Sequence, residues 1–121
     1  MFYNCTSLST APAVLPATTL ADYCYAWMFE NCSALVNAPQ LSATIMASNC
    51  CKEMFRGCSS LSNIEVNFIN WSTFSDDTGR IDYTTDWVSG VASSGTFIKP
   101  SNLLAYRGSD YIPNGWTIVN K

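Results

Sequence analysis

Histidine is absent from this 121-residue chain. That removes imidazole as general base, excludes Ser-His-Asp and Cys-His arrangements, and takes away the commonest metal ligand. Charge is scarce as well. Only 12% of residues are Asp, Glu, Lys or Arg, and six Lys plus Arg against nine Asp plus Glu give a net charge of −3. With no basic stripe to neutralise phosphates, nucleic acid is not an expected partner. No apolar run approaches the roughly 18 residues of a membrane span, and the N-terminus lacks the basic segment and apolar core of a secretory signal. The six cysteines contain no C-x₂-C pair, so the spacing that zinc sites require is missing. The loop carrying Asp76, Asp77, Asp82 and Asp86 lacks the D-x-D-x-D-G order of a calcium loop and reads as a solvated stretch. Nothing places two carboxylates across a cleft, so no enzyme, no cofactor and no metal are expected.

What is present is a repeat. The pattern M-F-x-x-C-x-x-L occurs as Met1-Phe2-Tyr3-Asn4-Cys5-Thr6-Ser7-Leu8, from Met28 to Leu35, and from Met54 to Leu61. The copies start at residues 1, 28 and 54, so they are 27 and then 26 residues apart (28 minus 1, 54 minus 28). Periods of this size mark repeat architectures. Because Met1 is itself the motif methionine, the chain is expected to begin within a repeat, as part of a longer array.

After each motif comes an apolar series expected to form a short strand: Leu8, Ala11, Ala13 and Leu15, then Leu35, Ala38 and Leu41. Pro12 and Pro39 weaken these two ladders. The third series alternates cleanly, with Ile64, Val66 and Phe68 directed inward. The stripe Leu20, Cys24, Met28, Cys32, Leu35, with spacings of four, four, four and three, then predicts a helix capped near Thr18 or Thr19. Met46, Cys50, Met54, Cys58 and Leu61 repeat it. In that register Cys5, Cys32 and Cys58 form one column, Cys24 and Cys50 another. These thiols are expected to pack as small apolar side chains, the alternative being a disulfide between neighbouring turns, and Cys51 is expected to be exposed.

Strand, turn and helix in about 26 residues is the unit of a leucine-rich repeat solenoid. The strings MFYNCTSLSTAP, LPATTLADYCYAWMFENCSALVNAP and MFRGCSSLSNIEVNF resemble BspA-like leucine-rich repeats over residues 1–69. The fold class expected is therefore α/β, a solenoid of about two and a half repeats with a C-terminal β-rich cap. The resemblance implies a surface protein of bacteria or of the phages that infect them, extracellular or on a virion.

From Asn70 the repeat is expected to stop. Thr85–Gly90 reads as a short helix, Gly95–Lys99 as a strand stopped by Pro100, Ser101–Gly108 as a capped short helix, and Trp116–Val119 as a last strand after the Pro113-Asn114-Gly115 turn. Residues 70–121 are expected to cover the open face of the third strand. Trp27, Trp71, Trp87 and Trp116 either pack the core or stack on sugar rings. Three Asn-x-Ser/Thr triplets are read as chance.

The function expected is non-enzymatic binding or adhesion to a protein or glycan on a host or neighbouring surface. Thr10, Asn37, Asn63, Glu65 and Asn67, the outward strand positions, are its candidate contacts. The alternative is a structural spacer or cap of a longer fibre, with further repeats or subunits at the N-terminal end.

Overall fold

The computed structural model describes residues 2–75, 77 and 79–121. Met1 of the first motif and Asp76 of the acidic loop therefore lie outside the described residues. Among the described residues seven short strands follow in order: β1 (Val14–Leu15), β2 (Gln40–Leu41), β3 (Asn63–Glu65), β4 (Ser72–Ser75), β5 (Gly79–Asp82), β6 (Thr96–Lys99) and β7 (Thr117–Asn120). They fall into three separate sheets: parallel β1-β2, parallel β3-β6-β7, and the antiparallel hairpin β4-β5. Isolated bridges join Asn37 to Asn63 and Leu41 to Val66.

No helix occurs among the described residues, and no sheet is closed. The expectation of an α/β leucine-rich repeat solenoid is therefore overturned. The reason lies in the spacing of four. In an α-helix each step of four overshoots a full turn by about 40°, so three such steps swing a stripe by about 120°. A strict four-residue spacing instead suits a chain whose conformation itself repeats every four residues.

The backbone does this here. In Tyr23–Cys32 the even-numbered amides close local turns three residues back, as in Cys24 N–H to Ala21 O and Met28 N–H to Tyr25 O. The odd-numbered amides reach the next copy: Tyr23 to Ser48 O, Tyr25 to Cys50 O, Trp27 to Lys52 O, Phe29 to Met54 O and Asn31 to Arg56 O, at 2.7–3.1 Å. Asn49–Cys58 repeats the pattern toward Asp82–Ser89. Every fourth residue is left-handed: Tyr23, Trp27, Asn31, then Asn49, Glu53, Gly57, with φ between 50° and 77°. Such a conformation costs a non-glycine residue roughly 1–2 kcal/mol. The inter-copy hydrogen bonds, each worth about 1 kcal/mol net, offset it.

This turn ladder sets the core. Phe29, Cys32, Leu35, Cys51, Met54, Phe55, Cys58 and Leu61 are fully buried. Position 51 lies four before Phe55 and points inward with it, so the expected exposure of Cys51 is also overturned. The exposed thiols are Cys5 and Cys24, and none of the six forms a disulfide.

The first two predicted strands shrink to two residues each. Beside Pro39, which has no N–H, Ala38 donates to Asn63 O while Gln40 donates to Ala13 O, so the ladder changes neighbour there. Ile64, Val66 and Phe68 are buried as the alternation requires. In the tail, β6 matches its predicted strand within a residue, and Thr85–Gly90 and Ser101–Gly108 are turns and bends rather than helices.

The ladder also continues past Asn70. Glu53 N–H reaches Thr85 O, Phe55 reaches Trp87 O, and Gly57 reaches Ser89 O, which sets Gly90 beside Gly57. The hairpin β4-β5 occupies the extra residues between these copies. β6 pairs with β3 (Asn63↔Thr96, Ile64↔Phe97, Glu65↔Ile98), and β7 pairs with β6. The approach is close: a Cβ on Gly95 would stand 2.5 Å from Ser62 O and 2.8 Å from the Trp116 ring, so only glycine fits. No helix of the described residues is long and apolar enough to cross a membrane.

Candidate functional site

The outward strand residues end up in two places. Asn37 and Asn63 face each other across their bridge. Glu65 on β3 accepts hydrogen bonds from Gln40 Nε2 and Lys121 Nζ, both at 2.9 Å, and Asn67 Oδ1 accepts another from Lys121. Asn37, Asn63, Glu65 and Asn67, with Gln40, form one polar patch that Lys121 closes over. Thr10 stays apart, exposed in the irregular stretch before β1. Within the patch Glu65 Oε2 and Asn67 Oδ1 are engaged by Gln40 and Lys121.

A second region, missed by the strand-based reading, is set by the left-handed positions of the turn ladder. Equivalent left-handed residues of neighbouring copies sit side by side and bond to one another. Asn31 Nδ2 donates to Asn4 Oδ1 at 3.0 Å, Trp27 Nε1 to Glu53 Oε2 at 2.9 Å, and Asn49 Nδ2 to the Tyr23 hydroxyl at 3.2 Å. The local signal was the motif column Asn4, Asn31, Gly57, the residue types that tolerate positive φ. Tyr23, Trp27 and Glu53 at equivalent positions gave no such signal.

These contacts hold two large aromatic rings out in solvent. Tyr23 and Trp27 are 48% and 39% exposed, nearly parallel (14°), with centroids 5.9 Å apart. Lys52 Nζ stands 5.9 Å from the Trp27 ring centre, within cation–π reach. The Trp27 indole N–H, helped by Arg56, holds the Glu53 carboxyl below its ordinary range. Glu30 behaves oppositely. Burial and the nearby Glu53 charge push its carboxyl up, and its Oε2 is buried with no hydrogen-bond partner.

Beside the rings lies a groove of about 540 Å³, lined among others by Asp22, Ser48, Asn49, Thr73, Arg80 and Asp82. Asn49 belongs to both features, since it lines the groove and donates to Tyr23. Asp22 Oδ1 accepts from Ser48 N–H at 3.1 Å. Arg80 is spanned by Tyr111 and Asp82: Nη2 donates to the Tyr111 hydroxyl at 2.9 Å and Nε to Asp82 Oδ1 at 2.7 Å, and both raise its pKa.

Among the described residues no group of three or more His, Cys, Asp or Glu side chains is placed to hold a metal. Of the acidic loop, Asp82 is paired with Arg80, and Asp86 accepts from Ser109 Oγ at 3.2 Å while its own N–H donates to Asp110. Cys50 and Cys51 approach to 3.9 Å, and the hydrogen bond between them lowers the Cys50 pKa and raises that of Cys51. Both are fully buried, so reagents do not reach them. No family model, curated protein or solved structure matches this chain.

Proposed function

We propose that this chain is a non-enzymatic binding module of adhesive type, presenting a rigid surface to a protein or glycan outside the cell or on a virion. The observation that carries this reading is the exposed pair Tyr23 and Trp27, fixed by Asn49 and Glu53. Aromatic rings left in water forgo burial, and rings held in one orientation pay little entropy on contact, which is why such residues dominate interfaces. The extracellular setting rests on the resemblance of the sequence strings to bacterial and phage surface repeats.

A second reading, a spacer or cap of a longer array, is favoured by one specific feature. Residues 70–121 pair β6 onto β3 and bury Trp87, Phe97 and Trp116, as an end piece would. In that reading 1–69 is the repeat part and 70–121 its cap.

Binding of the whole chain to a mixed array of glycans and surface proteins separates the two. The adhesive reading expects binding that the Tyr23→Ala/Trp27→Ala double variant loses. Absence of binding to any array member, or binding that the double variant keeps, would leave the spacer reading.

A further inference from the structure

Building on the adhesive reading, we infer that the groove of Asp22, Ser48, Asn49, Arg80 and Asp82, together with the Tyr23–Trp27 rings at its edge, is a site for a neutral saccharide.

The groove is of mixed character, with Met46, Ala47, Ile81 and Tyr83 beside its polar residues, and its charges nearly balance. Arg80 and Asp82 neutralise each other at 2.7 Å, leaving Asp22 as the one unmatched charge among the lining residues. A phosphate or sulfate would meet more carboxylate than cation, and a lone cation would meet Arg80. An apolar ligand would strand the hydroxyl, amide and carboxylate groups without partners, at a cost of roughly 1–3 kcal/mol for each one buried. What fits is an uncharged molecule that both donates and accepts at many points, and a ring of hydroxyls does this.

The inventory of groups supports the match. The Tyr23 hydroxyl accepts from Asn49, which leaves its own proton to donate outward. Asn49 Oδ1 and Asp22 Oδ2 have no hydrogen-bond partner among the described residues and remain acceptors. Ser48 adds a hydroxyl that accepts from Asn49 Nδ2 at 3.3 Å and keeps its own proton to donate, and Thr73 adds one already bonded to Tyr83. These planar amide, carboxylate and guanidinium groups grip adjacent hydroxyls in pairs. Tyr23 adjoins the groove through its hydrogen bond with Asn49, and Trp27 stacks on Tyr23, so the pair offers aromatic surface for the C–H side of a sugar ring. The site lies on the ladder itself, so it is preformed: Asp22 is tied to the Ser48 amide, and Asn49 N–H bonds to Asp82 O at 2.8 Å across the groove.

The test uses the whole chain and a panel of neutral oligosaccharides, followed by tryptophan fluorescence and by calorimetry. At least one neutral oligosaccharide is expected to bind and perturb the fluorescence. Trp27→Ala and Asp22→Ala are each expected to weaken it by about tenfold or more, while Ser101→Ala, at an exposed position in the tail, leaves it unchanged. Both tested side chains are exposed, and melting curves of the variants confirm that each remains folded. Failure of every neutral sugar to bind, or binding indifferent to both substitutions, overturns the proposal. If instead an acidic polymer or a protein binds and is lost with Trp27→Ala, the saccharide assignment falls while the adhesive reading stands. If nothing binds at all, both fall.

Discussion

The two halves of the molecule pack aromatic rings in different ways. In the repeat half Phe2, Phe29 and Phe55 stack nearly parallel, with interplanar angles of 10° and 9° and centroids 5.3 and 5.7 Å apart. In the tail half Trp71, Trp87, Phe97 and Tyr111 meet largely edge to face, at 69–78° for three of the pairs. Copies related by translation present the same residue in the same orientation, so their rings must lie parallel. Where the period breaks, at the β4-β5 hairpin, the rings are free to take the edge-to-face geometry that their quadrupoles prefer. Repetition thus yields a regular ladder of parallel rings, and its interruption yields a cluster of rings at steep angles.

The comparison is broken most severely at Trp87, which touches Phe55, Phe68, Trp71 and Phe97 and donates its indole N–H to Tyr111 O at 2.8 Å. Trp87→Ala is expected to cost about 3–5 kcal/mol in urea unfolding, from lost burial, the cavity and an orphaned carbonyl. Phe2→Ala, at the half-buried end of the parallel stack, is expected to cost only about 1 kcal/mol. Equal losses would show that the tail cluster is no more central than the end of the stack.

A smaller effect is expected at Gly57, which stands at φ +77° in the column of Asn4, Asn31 and Gly90. A Cβ there would come within 2.2 Å of Asn31 Oδ1 and push that side chain off Asn4. Gly57→Ala should cost about 1–2 kcal/mol, because the left-handed conformation strains an L residue. Gly57→Asn should relieve the backbone part of this cost, since asparagine tolerates positive φ. If alanine proves neutral in thermal melts, the four-residue turn register is wrong.

The smallest effect concerns two carboxylates on the ladder with opposite shifts. Glu53 is held below its unfolded value by Trp27 and Arg56, so its contribution is present above that value and fades as pH falls through the folded pKa. Glu30 is raised by burial and by Glu53. The folded state then binds the Glu30 proton more tightly than the unfolded state does. Stability therefore falls as pH rises from the ordinary carboxyl range through the raised folded pKa. Glu30→Gln should abolish that fall and leave the protein slightly more stable at pH 7. Melting temperatures of the variant and wild type that run parallel between pH 4 and pH 7 would refute the assignment.

Much of the interior was legible beforehand. Of the predicted stripe Leu20, Cys32, Leu35, Cys50, Met54, Cys58 and Leu61 are buried while Cys24 is exposed, and Ile64, Val66 and Phe68 keep their predicted inward alternation. Apolar spacing records which side chains must leave water, whatever backbone carries them. The setting of the exposed aromatic pair was hidden because Tyr23, Trp27 and Glu53 occupy left-handed positions without being glycine or asparagine.

The sequence by itself determined the repeat period, the inward alternation of Ile64, Val66 and Phe68, and the strand stopped at Pro100, because each follows from local chemistry or from the spacing of apolar groups. Only the tertiary structure decided that the four-residue stripe is a chain of turns rather than a helix. An isolated segment has no neighbour to receive its odd-numbered amides, and without those bonds the left-handed residues have nothing to offset their strain. The same dependence decided the cysteines. Cys51 is buried and Cys24 exposed because the copies around them, and not their own flanking residues, supply the cover.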